Sequence, residues 1–408
     1  MLRASVSVRG LSLAVLVLVA CSRHGSEPEA GRVTGWRTDL RTLATELPLR
    51  HKDAFHTIDK AAWGRSLAAI ERELPSLDDA HITVRLTQLV ASIGDAHTRL
   101  RAGDRGRVYP LRFAWFDDGI FVVGATPEHA AEVGSKLVGI GSYTIDEVIA
   151  RFSPLVSRDN DAGLRSELPA ELVRPVTLAG LDLAAADHAT FELMAADGRV
   201  HDLDVRPGDM APKVAAPTQL PLRLTGPGTA YWNKYVDADR LLYFAYNACV
   251  EDSRVGSFAA FVESTMAFAD QHPVDRFVID LRNNGGGNSA IIEPLLEGLA
   301  KRPKLADRVF VIIGMNTFSS AVLNAMQLKR RLHATLVGGR TAGSPSHFGE
   351  VKTFELPSSH LVVQYSTKYF AYPDFPGDAV EPDLAVAMTS TDWFSGRDRA
   401  LDAIGAAP

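Results

Sequence analysis

The sequence predicts an α/β protein: a helical segment, then a β-rich module, then a sheet of parallel strands alternating with helices. Three patterns predict it. Between residues 35 and 102, Leu40, Leu43 and Leu47, then Leu67, Ile70 and Leu74, then Ile82, Leu86, Leu89, Val90 and Ile93 recur at helical spacing. Between 103 and 215 the apolar runs are short or alternating, at 111–115, 120–123, 136–140, 190–194 and 200–205, with one helical stretch at 145–152. Beyond 216, apolar runs at 241–247, 277–281 and 309–313 are separated by segments of helical composition at 255–269 and 321–331. Strands joined by such crossovers lie parallel.

The first 20 residues read as a processing segment, separate from the fold. Arg3 and Arg9 give a positive start, and Leu11 to Ala20 form an apolar core too short to span a bilayer. Leu18-Val19-Ala20-Cys21 resembles a bacterial lipobox, in which Cys21 becomes the lipidated first residue; the rival reading is a plain secretory signal. Ser22 after the cysteine, by resemblance to lipoprotein sorting rules, favours the outer membrane. Residues 21–34, polar and rich in charge, then read as a tether to an exported, lipid-anchored body.

Composition narrows the function classes. With 46% hydrophobic and 23% charged residues and a net charge of −6, nothing asks for nucleic acid. The chain has 2 cysteines, and with Cys21 spent on lipid, Cys249 is left without an intramolecular partner. No C-x-x-C or H-E-x-x-H pattern supports a metal site, and no cofactor is expected.

The helical segment ends on Gly94-Asp95-Ala96-His97-Thr98. Glycine at a helix end lets the chain turn sharply and present the next few residues. A single histidine among 12 is ordinarily a surface or core residue, and Asp95 equally fits a turn cap. In the β-rich module, GSKLVGIGSYTIDEVIARF resembles the core of a degenerate PDZ-like domain, a kind of module that binds extended peptide along a sheet edge. The proline-rich stretch Ala211 to Pro227 marks the boundary to the last region, 216–408.

Two strand-to-turn units dominate that region. DRFVIDLRNNGGG delivers three consecutive glycines to a turn, where backbone N–H groups are uncovered and free of side chains. RVFVIIGMNTFSSAVLNAMQ places Ser319 and Ser320 where a strand passes into a helix, above helix N–H groups that favour negative charge. Each unit has a plainer reading. Ser319 fits an ordinary N-cap. Gly285, Gly287 and Ala290 fit a dinucleotide fingerprint, but Met315 and Asn316 stand where that motif expects an acid. Asn247 and Cys249 end a strand at the same sheet edge, with structural duty favoured for Cys249.

GDAHT, DLRNNGGG, T-x-S-S-A at a helix mouth, VGGRTAGSP, HFGEVKTFELP and EPDLAV, in this order, resemble the tail-specific protease and tricorn-like family of serine peptidases. The resemblance implies a crotonase-like ββα catalytic sheet and a peptide or protein substrate. It implies Ser319 as nucleophile and His97 as general base, with Ala96 replacing the glycine usual in the family's D-G-H-T. The Ser–Lys members carry a lysine at the register of Ser344, and Lys352 and Lys368 are out of register, so the His variant is favoured. That variant orients its histidine through an acid near the C-terminal end. Asp374, Asp378 and Glu381 are the candidates, with Asp378 chosen on its spacing from Ser319. The N–H of Ser320 and that of Gly285 or Gly286 would then hold the oxyanion. Tyr365, Tyr369, Phe370 and Tyr372 read equally as groove lining or as core. Two rival functions stand beside the peptidase: an inactive surface lipoprotein that binds peptide or glycan, and another serine acyl hydrolase, against which the lack of G-x-S-x-G counts.

Overall fold

The computed structural model describes residues 27–101, 106–209 and 212–407. The expected leader and Cys21 lie outside the described residues. Helix α1 (Glu27–Arg50) begins inside the stretch expected to be a tether. The reason is local: the Arg32 guanidinium bonds Glu29, the Leu77 carbonyl and Asp79, which ties this turn to the body. Helices α2 (Lys60–Glu73) and α3 (Asp79–Ala91) come next, each started by an aspartate, Asp59 or Asp78, whose carboxylate accepts a first-turn N–H. No helix among the described residues is long and apolar enough to cross a membrane.

After α3 the chain turns through Gly94 at φ 77° into the short strand β1 (Arg99–Arg101). The next body is built from β2 (Leu111–Phe116), β3 (Gly119–Ala125), β4 (Lys136–Ile140), β5 (Tyr143–Thr144), α4 (Ile145–Phe152), α5 (Asp161–Glu171), α6 (Pro175–Gly180), β6 (Ala189–Met194) and β7 (Val200–Val205). Its strands form an antiparallel sheet of order β2-β3-β4-β6-β7, with β5 pairing β4 off that path. All five expected strands are present. Thr144 opens α4 with a reciprocal capping box to Glu147.

The third body runs from β8 (Tyr231–Val236) and β9 (Leu241–Tyr246) through α7 (Phe258–Gln271), β10 (Arg276–Asp280), α8 (Glu293–Ala300), α9 (Pro303–Ala306), β11 (Val309–Ile313), α10 (Ser320–Leu332) and β12 (Thr335–Gly338). Its sheet has the order β15-β12-β11-β10-β9-β8, where β15 is Leu384–Ala385. All pairs are parallel except β8 with β9. Strands β9 to β11 are apolar on both faces because helices and loops cover both. Helices α11 (Ser390–Ser395) and α12 (Arg399–Ala406) close the chain.

Between β12 and β15 the chain makes a hairpin, β13 (His347–Glu355) and β14 (Val362–Phe370), that leaves this sheet altogether. Strand β14 pairs antiparallel with β1, and Leu356, Leu361, Val363 and Tyr365 join the core of α1, α2 and α3. The segment expected within the catalytic domain thus completes the N-terminal helical core. Of the four aromatics weighed for a groove, Tyr365 is core, Tyr372 packs partly against the parallel-sheet core, Tyr369 is exposed against Phe348, and Phe370 lies against His347.

Candidate active site

Strands β10 and β11 end side by side, and the turns that leave them are stitched together. The buried Thr317 hydroxyl donates to the Leu281 carbonyl at 2.9 Å and accepts from Gly314 N–H at 3.0 Å. The Phe318 N–H donates to the Asn284 carbonyl at 3.0 Å. The Asn284 side chain, fully buried, accepts from Gly286 N–H at 2.9 Å and donates to the Tyr246 carbonyl at 2.8 Å. This asparagine locks the glycine loop onto β9. At Gly286, φ is 106°, and a side chain there would put its first carbon 2.8 Å from Ser319 Cβ. Only glycine allows that approach.

Ser319 sits at the head of α10 with φ 53° and ψ −126°, a region that costs a non-glycine residue about 1–3 kcal/mol. Its hydroxyl does not cap the helix, which removes the plain N-cap reading. The neighbouring Ser320 hydroxyl is engaged, donating to the Gly287 carbonyl at 2.7 Å. Of the two serines, Ser319 is therefore the one with an uncommitted hydroxyl on a strained turn. The thiol of Cys249 is buried behind the glycine loop, and burial pushes it up to about 11, so it stays protonated and holds structure.

His97 comes from the far side, on the loop between α3 and β1. Its ring lies 4.4 Å from the Phe318 ring, at an interplanar angle of 26°, which places it against the residue before Ser319. The ring is buried and neither nitrogen makes a hydrogen bond. Burial lowers its pKa to about 4, with nearby Asp95 opposing and His347 and Arg99 reinforcing the shift. The imidazole is neutral at neutral pH, as a base must be.

Asp95 anchors this loop. Its carboxylate accepts from His51 Nε2, the Thr98 and Ser366 hydroxyls and His97 N–H. Burial pushes Asp95 upward, but these bonds outweigh it and hold the group at about 2. Its nearer oxygen is 3.9 Å from His97 Nδ1, close but not hydrogen-bonded. A second carboxylate, the half-buried Asp159, accepts from Ala96 N–H at 3.1 Å and from Ser344 N–H at 3.0 Å. Burial raises its pKa. Next to it, Asn160 starts α5 and donates to the Thr341 and Asp378 carbonyls.

Two expected assignments need correction. The Asp378 carboxylate is exposed and hydrogen-bonds Arg340 at 2.7 Å, so its charge is spent there and it makes no bond to His97. Glu381 faces the same arginine at 3.2 Å. The Gly286 N–H is committed to Asn284, which withdraws it as an oxyanion donor and leaves Gly285 and Ser320 of the expected set. Sequence reasoning missed His347, whose ring lies 5.6 Å from that of His97 at 14°, and whose Nδ1 faces the Ser344 carbonyl at 2.8 Å. It also missed Asp159 and the clamp made by Asn284. A histidine three residues beyond the register of the family's lysine was the available signal for His347. Among the described residues no cluster of three His, Cys, Asp or Glu side chains is arranged to hold a metal ion.

No protein-family model matches the sequence, and no curated protein matches it either. The backbone does match solved structures. Mature CPAF aligns with a TM-score of 0.65 over 91% of this chain and 96% of its own, at 15% identity. The chain shares the CPAF fold. CPAF complexed with lactacystin aligns at 0.64, over 91% of this chain and 98% of its own, at 15% identity. A photosystem II D1 C-terminal processing protease aligns at 0.40, covering 90% of this chain and 99% of its own at 14% identity, too loosely to weigh beside CPAF.

Proposed function

We propose that the chain is a serine-type peptidase acting through an acyl-enzyme, with Ser319 as nucleophile and His97 as general base. The observation that carries the reading is the conformation of Ser319: a non-glycine residue held at φ 53°, its hydroxyl uncommitted, pressed against a glycine loop, with the preceding Phe318 stacked on a buried, neutral imidazole. Strain of this kind persists where surrounding structure enforces it, and clusters at functional sites. In this reading the N–H groups of Gly285 and Ser320 receive the negative charge of the tetrahedral intermediate. Asp95 takes the place expected of Asp378, fixing the His97 backbone and favouring the imidazolium that forms when Ser319 gives up its proton. No hydrogen bond joins Ser319 to His97 in the free protein, and such bonds commonly tighten when substrate arrives. Peptide or protein substrates are proposed from the motif resemblance and from the shared fold of CPAF, which has been solved with lactacystin bound. Export and lipid attachment through Cys21 belong to the same proposal and rest on the lipobox-like leader.

The test is covalent labelling of the folded protein by a fluorophosphonate probe, beside Ser319→Ala and His97→Ala. Labelling lost in both variants supports the reading. Labelling that survives Ser319→Ala but not Ser320→Ala moves the nucleophile by one residue. Absence of labelling in folded wild type would favour the second reading, a binding protein that retains the cleft.

A further inference from the structure

Behind the glycine loop, buried polar side chains from three elements meet. Asn324 lies on α10, five residues beyond Ser319, and is fully buried. Its Nδ2 donates to Cys249 Sγ at 3.3 Å, and the Cys249 thiol in turn donates to Asn284 Oδ1 at 3.5 Å. The Tyr246 hydroxyl, also buried, lies beside the same sulfur. Asn284 Oδ1 is the atom that accepts from Gly286 N–H. One run of side-chain bonds therefore joins the helix that bears Ser319 to the glycine loop.

The backbone of Cys249 grips that loop as well. Its N–H donates to the Gly286 carbonyl at 2.9 Å, and its carbonyl accepts from Asn288 N–H at 2.7 Å. Gly287, at φ 135°, passes so near that the first carbon of a side chain would fall 2.3 Å from the Cys249 carbonyl oxygen. These bonds hold Gly286 and Asn288 and leave the Gly285 N–H without a partner among the described residues. Gly285 and Ser320 stand on different elements, so their N–H groups converge on one oxygen only if the gap between loop and helix is fixed. At the mouth, the Ser320 hydroxyl and the Phe318 N–H close that gap. On the buried side, the run from Asn324 through Cys249 to Asn284 closes it.

Asn324 also leaves an atom unsatisfied. Its Oδ1 is buried without a partner, on a helix whose Ala321, Val322, Ala325 and Leu328 belong to the apolar core. A buried acceptor left unpaired is costly, and an apolar residue here would avoid that cost. The contact from Nδ2 to the sulfur is what an apolar residue could not supply.

We propose that Asn324, acting through the Cys249 thiol, is a positioning residue for the oxyanion loop: it holds Asn284, and with it Gly285 and Gly286, at a fixed distance from the helix that bears Ser319 and Ser320. The consequence for rate rests on the peptidase reading above, and the consequence for the position of the loop does not.

The intact protein is compared with Asn324→Leu, Cys249→Ala and Cys249→Ser in two measurements. The first is amide hydrogen exchange at Cys249, Gly286, Asn288 and Phe318, whose N–H groups are bonded across the loop. Exchange there should quicken by about tenfold or more in Asn324→Leu and Cys249→Ala, with the amides of β9, β10 and β11 unchanged. Cys249→Ser, which keeps a donor and an acceptor, should stay closer to wild type. The second is the rate of fluorophosphonate labelling across probe concentration. The maximal rate should fall by about tenfold or more in Asn324→Leu and Cys249→Ala while the half-saturating concentration moves by less than about twofold, the mark of a donor misplaced in the transition state. Cys249→Ser should recover most of the rate. If Cys249→Ala fails to fold, Asn324→Leu and Cys249→Ser decide. Unchanged loop exchange in folded Asn324→Leu overturns the proposal, as does quickened loop exchange with an unchanged labelling rate, or a quickening spread evenly over the sheet. A wild type that takes no label removes the peptidase reading, and the exchange measurement then decides the position of the loop by itself.

Discussion

His97 carries two opposing demands, since it must accept a proton during catalysis yet is buried where a proton is unwelcome. With its pKa lowered to about 4, the base stays available well below neutral pH. The rate of fluorophosphonate labelling is therefore expected to hold level from pH 7 to about pH 5 and to fall only below that. A midpoint between pH 6 and 7 would mean that the ring is solvated. The same shift has a stability consequence of defined sign. Between the unfolded value of 6.5 and the folded value of about 4, the unfolded chain binds a proton that the folded one does not, so stability falls as pH drops through that window. Asp95 acts in the same direction lower down: its folded value of about 2 lies below the ordinary 3.8, so its contribution is present above 3.8 and is lost as pH falls toward 2. Urea titrations from pH 7 down to pH 2 should show both losses, and His97→Phe should remove the upper one.

At the scale of elements, the loops that bear Ser319 and His97 gain their positions from neighbours that are not themselves reactive. Asp159 joins the His97 loop to the turn at Ser344 through two backbone N–H groups. Asp159→Ala should cost about 100-fold in labelling rate, the scale of a misplacement near 1 Å, while Asp159→Asn, which keeps a carbonyl oxygen, should cost much less. Equal rates in the two variants would remove this strut from the account. The strand-turn-helix units at β10 and β11 were legible because long apolar runs met abrupt glycine, asparagine and serine signals. Helices α5 and α6 were not legible: Gly163, Pro169 and Pro175 blur their pattern, and burial in the β-sheet core holds them. Asp378 was misread for a related reason. It was chosen on its spacing from Ser319, and only the fold reveals Arg340 as the partner that takes its charge.

Across the whole molecule, three cores meet at the site. The parallel sheet supplies Ser319, the N-terminal helices supply His97, and the β-rich body supplies Asp159. The sequence disclosed the order of these bodies but not that β13 and β14 cross back to the first of them, because strand partners so distant along the chain leave no local periodicity. The leader makes its own prediction at this scale. Cys21→Ser should move the protein from the membrane fraction to the soluble one, and an unchanged distribution would argue against lipid attachment.

The pairing of β1 with β14 also bears on how the molecule comes into being. The Gln364 side chain donates to the His97 carbonyl, joining residues 267 positions apart, and the Ser366 hydroxyl completes the set of donors around the Asp95 carboxylate. Ribosomes deliver the N-terminal part first, at about 5–20 residues per second. A growing chain therefore carries its histidine loop for many seconds before the strand that closes it exists. If Ser319 is a nucleophile, a chain not yet grown through β14 still lacks the strand that closes the loop bearing its base.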